Sequence, residues 1–254
     1  MQESFYTVAG CPVRIALVSD LHERGFDAAL ASLARRRPDL ICVTGDFFFG
    51  YPVEGSKAEA SGVLPFFAAC AALAPCFVSL GNHEWMITPA DMQQIRAAGV
   101  CLLDNEFTAC EIAGARLVLG GLSSARVSAC QRLYEAGYNA WSFDLYDRTA
   151  KTPPVLDWLD AYCREPGYRI LLCHHPEYYP RYLRGLDIPL VLSGHAHGGQ
   201  IRIFGQGLYS PGQGIFPKLT SGVKDGRLVI SRGLANRQKV PRLFNPPELV
   251  YVRG

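Results

Sequence analysis

The sequence predicts an α/β fold, a four-layer αββα sandwich of two mixed β-sheets flanked by helices, with the carboxyl ends of its strands gathered along one edge. Three observations predict it. Short apolar, β-branched runs recur without polar alternation, the pattern of strands covered on both faces. Stretches with helical character lie between several of these runs, which gives a layered α/β arrangement. Five of the runs break off into polar residues, and in such sheets ligands bind where the loops at the strand carboxyl ends converge.

The first run is VRIALVSD (13–20), followed by a helical stretch over 27–37. DLICVTGD (39–46) comes next, then an Ala-rich helical stretch over 61–73, CFVSLGNH (76–83) and a helix over 89–98. A helix over 154–164 begins directly after Pro153, with Pro154 suited to a first helical turn. RILLCHH (169–175) and IPLVLSGH (188–195) complete the five. RLVLGG (116–121), RLVIS (227–231) and ELVYV (248–252) supply strands for the second half of the sandwich. Residues 47–61 and 123–153 are less regular and rich in Tyr, Phe, Gly and Arg, which marks them as loops bordering the polar edge.

With 254 residues, no internal repeat and no low-complexity tract, one domain over 1–254 is expected. Apolar residues at 49% and charged residues at 19% supply a core and exclude a disordered chain. A formal charge of +2 without a basic tract gives no footprint of a nucleic-acid binder, and no nucleic-acid partner is expected. Residues 1–11 carry Glu3 and no basic segment, and the apolar run after them is short, so neither a signal peptide nor a transmembrane segment is expected. The nine cysteines are odd in number, lack a CxxC pair and sit mostly in apolar stretches. They read as buried thiols of a reducing compartment, the cytoplasm, with peripheral contact at a membrane left open. A zinc ribbon lacks its paired cysteines, and no cysteine has the local context of a nucleophile.

All six histidines, His22, His83, His174, His175, His195 and His197, lie at or just beyond strand ends. One such histidine is ordinarily structural; six together with carboxylates and an amide form a pattern. The companions are Asp20 in Asp20-Leu21-His22, Asp46 after Gly45, and Asn82 in Gly81-Asn82-His83-Glu84. Asp-x-His at a strand end points carboxylate and imidazole to one side, where both reach one divalent cation, and His195-Ala196-His197 repeats the device. A second cation needs a shared ligand, which the two oxygens of Asp46 provide. Glycines before Asp46, Asn82 and His195 permit sharp exits from the strands. Nitrogen and oxygen donors without thiolates suit Mn, Fe, Zn or Co, with Mn favoured.

The ordered set D-x-H, G-D, G-N-H-E, H and G-H-x-H resembles the five signature blocks of calcineurin-like metallophosphoesterases, in order, over residues 13–200. The resemblance implies two divalent metal ions at the strand carboxyl ends. Asp20, His22 and His197 would hold the first, Asn82, His174 and His195 the second, and Asp46 would bridge them. It also implies that His83 binds no metal, contacts the phosphate and protonates the leaving oxygen. Glu84 stands where the family often has Asp, and is expected behind the site with a bearing on how His83 is oriented. The family block favours His174 over its neighbour His175, because its proline falls at Pro176.

A narrower resemblance, carried by GHAHGGQIRIFGQG (194–207), SRGL (231–234) and PRLFNPPELV (241–250), is to bacterial phosphodiesterases related to UDP-2,3-diacylglucosamine pyrophosphatases. Arg126, Arg232, Asn236 and Arg237 are candidates for contact with phosphate or a polar head group. The aromatic clusters over 47–51 and at Tyr178-Tyr179 read first as packing, second as stacking surfaces for a nucleobase or acyl chains. The expected reaction is in-line attack on a phosphate ester by water activated between two cations, without a covalent enzyme intermediate. A phosphodiesterase acting on a nucleotide- or lipid-linked substrate is favoured over a phosphomonoesterase and over a binding scaffold that has lost metal chemistry.

Overall fold

The computed structural model describes residues 1–50, 56–136, 152–235 and 240–254. In chain order its first strands are β1 (Gln2–Thr7), β2 (Ile15–Val18), β3 (Leu40–Val43), β4 (Cys76–Val78) and β5 (Cys101–Leu102). Then come β6 (Glu106–Ile112), β7 (Ala115–Leu122), β8 (Tyr168–Cys173) and β9 (Leu190–Ser193). Two short ribbons follow, β10 (Arg202–Ile203) with β11 (Gln206–Gly207), and β12 (Tyr209–Ser210) with β13 (Gly214–Ile215). The last strands are β14 (Gly222–Lys224), β15 (Leu228–Ile230) and β16 (Glu248–Arg253). Helices among the described residues are α1 (Phe26–Arg36), α2 (Lys57–Ala60), α3 (Val63–Leu73), α4 (Pro89–Ala97), α5 (Ala125–Glu135) and α6 (Leu159–Arg164).

One sheet has the order β1-β16-β2-β3-β4-β5 and the other β14-β15-β9-β8-β7-β6. Strands β2 to β5 are parallel, as are β7, β8, β9 and β15. Antiparallel pairs β16/β2, β6/β7 and β14/β15 make both sheets mixed. Alternation along the strands then decides the layers. Ile15 and Leu17 of β2 join Leu40, Cys42 and Val250 in a core against Leu119, Ile170, Leu172 and Leu192 of the other sheet. Ala16 and Val18, on the opposite face, pack with Leu33, Phe66, Phe67 and Ile95 of α1, α3 and α4. Outside the second sheet, Val118, Leu171, Val191 and Ile230 pack with Leu159 and Tyr162 of α6 and with Tyr179 and Leu183. The four expected layers are present, and all five polar strand endings lie at one edge of the two sheets.

Several elements differ from the sequence expectation for identifiable reasons. β1 is a mostly polar edge strand paired only with β16, so its side chains alternate without an apolar run. β6 is likewise half exposed and is held by its two-residue turn to β7, with Ala113 and Gly114 both in left-handed backbone. Helix α5 occupies part of the expected loop 123–153. α6 begins only at Leu159, because Trp158 Nε1 donates to Val155 O at 3.1 Å and holds the preceding residues outside the helix. Phe47 and Phe48 are fully buried core residues, as the packing alternative expects, while Tyr51 lies outside the described residues. No disulfide joins any of the nine cysteines, and six are buried. Burial pushes the Cys42 and Cys173 thiols up, which leaves them unreactive. No helix among the described residues is long and apolar enough to cross a membrane.

Candidate metal centre

Each strand that leads to an expected site residue stops short of it. β2 ends at Val18, and Asp20 and His22 follow with φ of 54° and 44°. Asp46 after β3 has φ 53°, and His195 and His197 after β9 have φ 65° and 45°. Side-chain-bearing residues rarely hold such angles, and a group of them at one edge is maintained only by surrounding contacts. The expectation that strand alternation aims Asp20 and His22 together is therefore corrected: the left-handed turn brings both inward. Backbone contacts tie the loops of both sheets together. Asp20 N donates to Gly45 O at 3.1 Å, Gly194 N to His174 O at 3.0 Å, and His195 N to the Asp20 carboxylate at 3.1 and 3.2 Å.

Asp20, His22, Asp46, Asn82, His174, His195 and His197 are all buried in this edge, and His83 is partly open to solvent. Their potential ligand atoms form three overlapping groups: Asp20, His22 and His197; His22, Asp46 and His83; and Asp46, His174 and His195. Asp46 belongs to two of them. The pair His195 and His197 divides between different groups, which corrects the expectation that both aim at one ion. Asn82 Oδ1 is buried without a hydrogen-bond partner.

Hydrogen-bond partners decide which ring nitrogens carry protons. His22 Nδ1 lies 3.1 Å from Phe48 O, His174 Nδ1 2.8 Å from Thr44 O, and His197 Nδ1 3.2 Å from Ala235 O. A carbonyl only accepts, so Nδ1 of His22 and of His174 carries the proton and the Nε2 of each is turned inward, while His197 Nδ1 lies between Ala235 O and the donor Arg242 Nη2, 3.1 Å away. The Nε2 atoms face carboxylate oxygens: His174 Nε2 is 3.1 Å from Asp46 Oδ2, His22 Nε2 3.9 Å from the same atom, and His197 Nε2 3.5 Å from Asp20 Oδ1. Acceptor facing acceptor in a buried space is unfavourable unless a cation lies between them. His22 Nε2 and His174 Nε2 have no hydrogen-bond partner among the described residues. The donor set fits divalent cations.

Ionisation follows the same arrangement. Burial pushes His22 and His197 down to about 3, and burial with the nearby His175 holds His195 well below its ordinary value. These rings are neutral at neutral pH, the form that ligates. Burial also acts downward on His174, but the Asp46 carboxylate beside it prevails and raises it to about 10.

Glu84 is fully buried and does not orient the His83 ring as expected. Its Oε2 accepts from Asp46 N at 2.8 Å and Gly81 N at 2.7 Å, and its Oε1 accepts from Phe48 N at 2.9 Å. It clamps the Asp46 loop onto the Gly81 turn. Burial and the Asp46 charge push its carboxyl up to about 8. Glu84→Ala would leave three backbone donors unpaired, and is expected to destabilise the protein by roughly 3 kcal/mol or more, read as a lower denaturation midpoint. Gly81 is needed for space rather than for a sharp exit, since a Cβ there would stand 2.3 Å from Asp46 Oδ1. The His83 ring rests against Gly50, where a Cβ would meet Nδ1 at 2.7 Å, and that Nδ1 lies 3.0 Å from Phe49 O.

His175 points away from Asp46, with Nε2 2.9 Å from Ser124 Oγ and Nδ1 3.3 Å from Glu177 Oε1. Glu177 also lies 3.5 Å from His195 Nε2. Burial raises the Glu177 carboxyl, but His195 and His175 outweigh it and hold it at about 2. Arg242 Nη2 is 2.8 Å from Ala235 O, the acceptor that fixes the His197 ring. Glu177 escaped the sequence reading because it lies outside the motif blocks, and Arg242, although inside PRLFNPPELV (241–250), was given no role there. Arg232 is not available for phosphate, since it pairs with Glu248 at 3.1 Å. Arg126 lies in α5, and Asn236 and Arg237 are outside the described residues.

A family profile described as calcineurin-like phosphoesterase matches residues 13–199. The chain belongs to this family. Calcineurin-like phosphoesterases hydrolyse phosphate esters and generally use divalent metal ions, in keeping with the clustered His and Asp donors. Similar proteins include YpbG of Bacillus subtilis (strain 168), 28% identical over 93% of this chain and 79% of that protein. Phosphodiesterase YaeI of Escherichia coli (strain K12) is 25% identical over 79% of this chain and 66% of that protein. UDP-2,3-diacylglucosamine pyrophosphatase LpxG of Chlamydia muridarum (strain MoPn / Nigg) is 26% identical over 95% of this chain and 83% of that protein. Among solved structures, a dimetal phosphatase from Danio rerio superposes with a TM-score of 0.51 over 88% of each chain at 14% identity, a likeness of fold. The two mixed sheets flanked by helices are the calcineurin-like phosphoesterase architecture.

Proposed function

We propose that this chain is a dinuclear metal-dependent phosphodiesterase. The observation that carries the proposal is the convergence of imidazole Nε2 atoms on the Asp46 and Asp20 carboxylates within a buried edge. In this reading Asp20, His22 and His197 would hold one divalent ion, Asn82, His174 and His195 would hold the other, and Asp46 would be shared between them. Two bound cations would lower the pKa of an attacking water and neutralise charge on the phosphate oxygens. The protein residues do the rest. Carbonyl-bonded Nδ1 atoms fix the ligand rings, Glu84 fixes the backbone under Asp46, and the His83 ring stands over the cluster with Nε2 3.9 Å from Asp46 Oδ2. From there, protonated on Nε2, His83 donates to the departing alkoxide.

Nitrogen and oxygen donors without thiolate suit Mn, Fe, Zn or Co, and of these manganese is the favoured ion. The diester preference is supported by two relatives named as a phosphodiesterase and as a UDP-2,3-diacylglucosamine pyrophosphatase, which also favour a nucleotide- or lipid-linked substrate. Nine cysteines with no disulfide among them support a reducing compartment, the cytoplasm. Elemental analysis of the purified protein, followed by parallel assays of bis- and mono-p-nitrophenyl phosphate with added Mn, tests the reading. Two equivalents of metal and faster cleavage of the diester are expected. Preference for the monoester would make the protein a phosphomonoesterase, and absence of metal and of turnover under every divalent cation would make it a binding scaffold.

A further inference from the structure

We infer that the ribbon face beside the metal-bearing loop is a docking surface for an anionic lipid bilayer. Apolar side chains are displayed there rather than stored. Phe204 is 105% exposed and Phe244 85%, with Ile203 and Leu243 each about half exposed. They form one patch: Ile201 pairs with Leu243 in a parallel bridge, Arg202 N donates to Leu243 O at 3.0 Å, and Ile203, Phe204 and Phe244 line one open cavity of about 390 Å³. The neighbouring ribbon adds exposed Ile215 and Phe216, and is tied on by Phe216 N to Leu208 O at 2.9 Å and Gln206 Nε2 to Pro217 O at 2.8 Å.

Phe204, Phe216 and Phe244 all sit in left-handed backbone, with φ of 49°, 51° and 54°. A bulky side chain in that conformation is strained, and no burial within the protein offsets the cost at these positions. Charge identifies the partner. The two ribbons, residues 201–220, carry Arg202 and Lys218 and no acidic side chain, while the whole chain carries only +2. Lys218 is exposed two residues from Phe216, and Arg202 lines the same open cavity as Phe204 and Phe244. A protein partner or a second copy would match a flat apolar patch. Aromatic residues standing on separate turns beside Arg202 and Lys218 instead suit insertion among the headgroups of an anionic leaflet.

The surface is continuous with the metal edge. Leu208 N donates to Gly199 O at 3.0 Å, and Asn245 Nδ2 donates to His197 O at 2.7 Å and to Gln200 O at 3.0 Å. Seating the ribbons on a bilayer would therefore fix how the His195 to Gln200 loop faces the lipid headgroups. Docking requires neither metal nor turnover, so it stands or falls apart from the phosphodiesterase reading.

Flotation of the full chain with vesicles of phosphatidylcholine, with and without phosphatidylglycerol, tests the inference. Binding to the anionic vesicles alone, weakened by salt, is expected. The double substitution Phe204→Ser with Phe244→Ser should weaken that binding at least about tenfold, and Lys218→Glu should weaken it further, with metal content and cleavage of a soluble phosphodiester unchanged. Wild-type protein that ignores anionic vesicles overturns the inference, as does a double variant that floats like wild type. Dimers that dissociate in the double variant without any vesicle binding would make the face a contact between two copies, and would overturn it as well.

Discussion

Asp46→Asn is expected to lose metal and turnover together, with turnover falling at least about a hundredfold, the upper end of what is lost when groups behind the ligands are changed. The substitution keeps the shape of the side chain. Its remaining carbonyl oxygen can still accept from His83 N, which lies 2.9 Å from Asp46 Oδ1, so the turn before the His83 ring is preserved. What disappears is one negative charge at the point where His22, His83 and His174 all turn toward the same oxygen. Two cations held close together repel each other, and a shared anion is what makes their proximity tolerable. Metal content measured alongside kcat on the same preparation decides the matter. A variant with two full equivalents and wild-type turnover would remove Asp46 from the bridging position, whereas loss of turnover with both metals retained would move its role from holding the ions to the reaction itself.

The sequence carried the site more clearly than it carried the fold around it. Asp20, His22, Asp46, Asn82, His174, His195 and His197 lie within 177 positions of one another along the chain, and the structure gathers all seven at one edge because each follows a strand whose apolar run is plain to read. Strands such as β1 and β6 were hidden because an edge strand buries few side chains, and polar alternation resembles a loop. The contacts that hold the ligands were hidden for another reason. Glu84 acts through backbone donors of Asp46, Phe48 and Gly81, and Arg242 acts through the Ala235 carbonyl, so their roles depend on main-chain positions that no spacing of residue types records. The left-handed turns at Asp20, His22 and Asp46 were equally silent, since residues other than glycine seldom adopt them. The distinction between His174 and His175 falls between these cases. Chain order and Pro176 favoured the first, but only the opposed directions of the two rings separate a lone pair facing Asp46 from a ring bonded to Ser124.

His83→Ala is expected to slow cleavage of alkyl phosphodiesters by about 10²- to 10⁴-fold, the usual contribution of a positioned general acid, while p-nitrophenyl diesters lose far less. The reason lies in the leaving group. A nitrophenolate departs as a stable anion, but an alkoxide needs a proton as the bond breaks, and His83 is a partly exposed imidazole at the cluster. Its Nδ1 donates to Phe49 O at 3.0 Å, so the inward Nε2 delivers a proton when the ring is charged. Because the ring belongs to no proposed ligand set, metal content should be unchanged, which separates this variant from Asp46→Asn. A series of diesters with graded leaving groups, assayed on both forms, should therefore give a steeper dependence on leaving-group pKa in the variant. Equal losses across the series would instead mean that His83 binds the phosphate without transferring a proton, and the departing oxygen would have to take its proton from solvent.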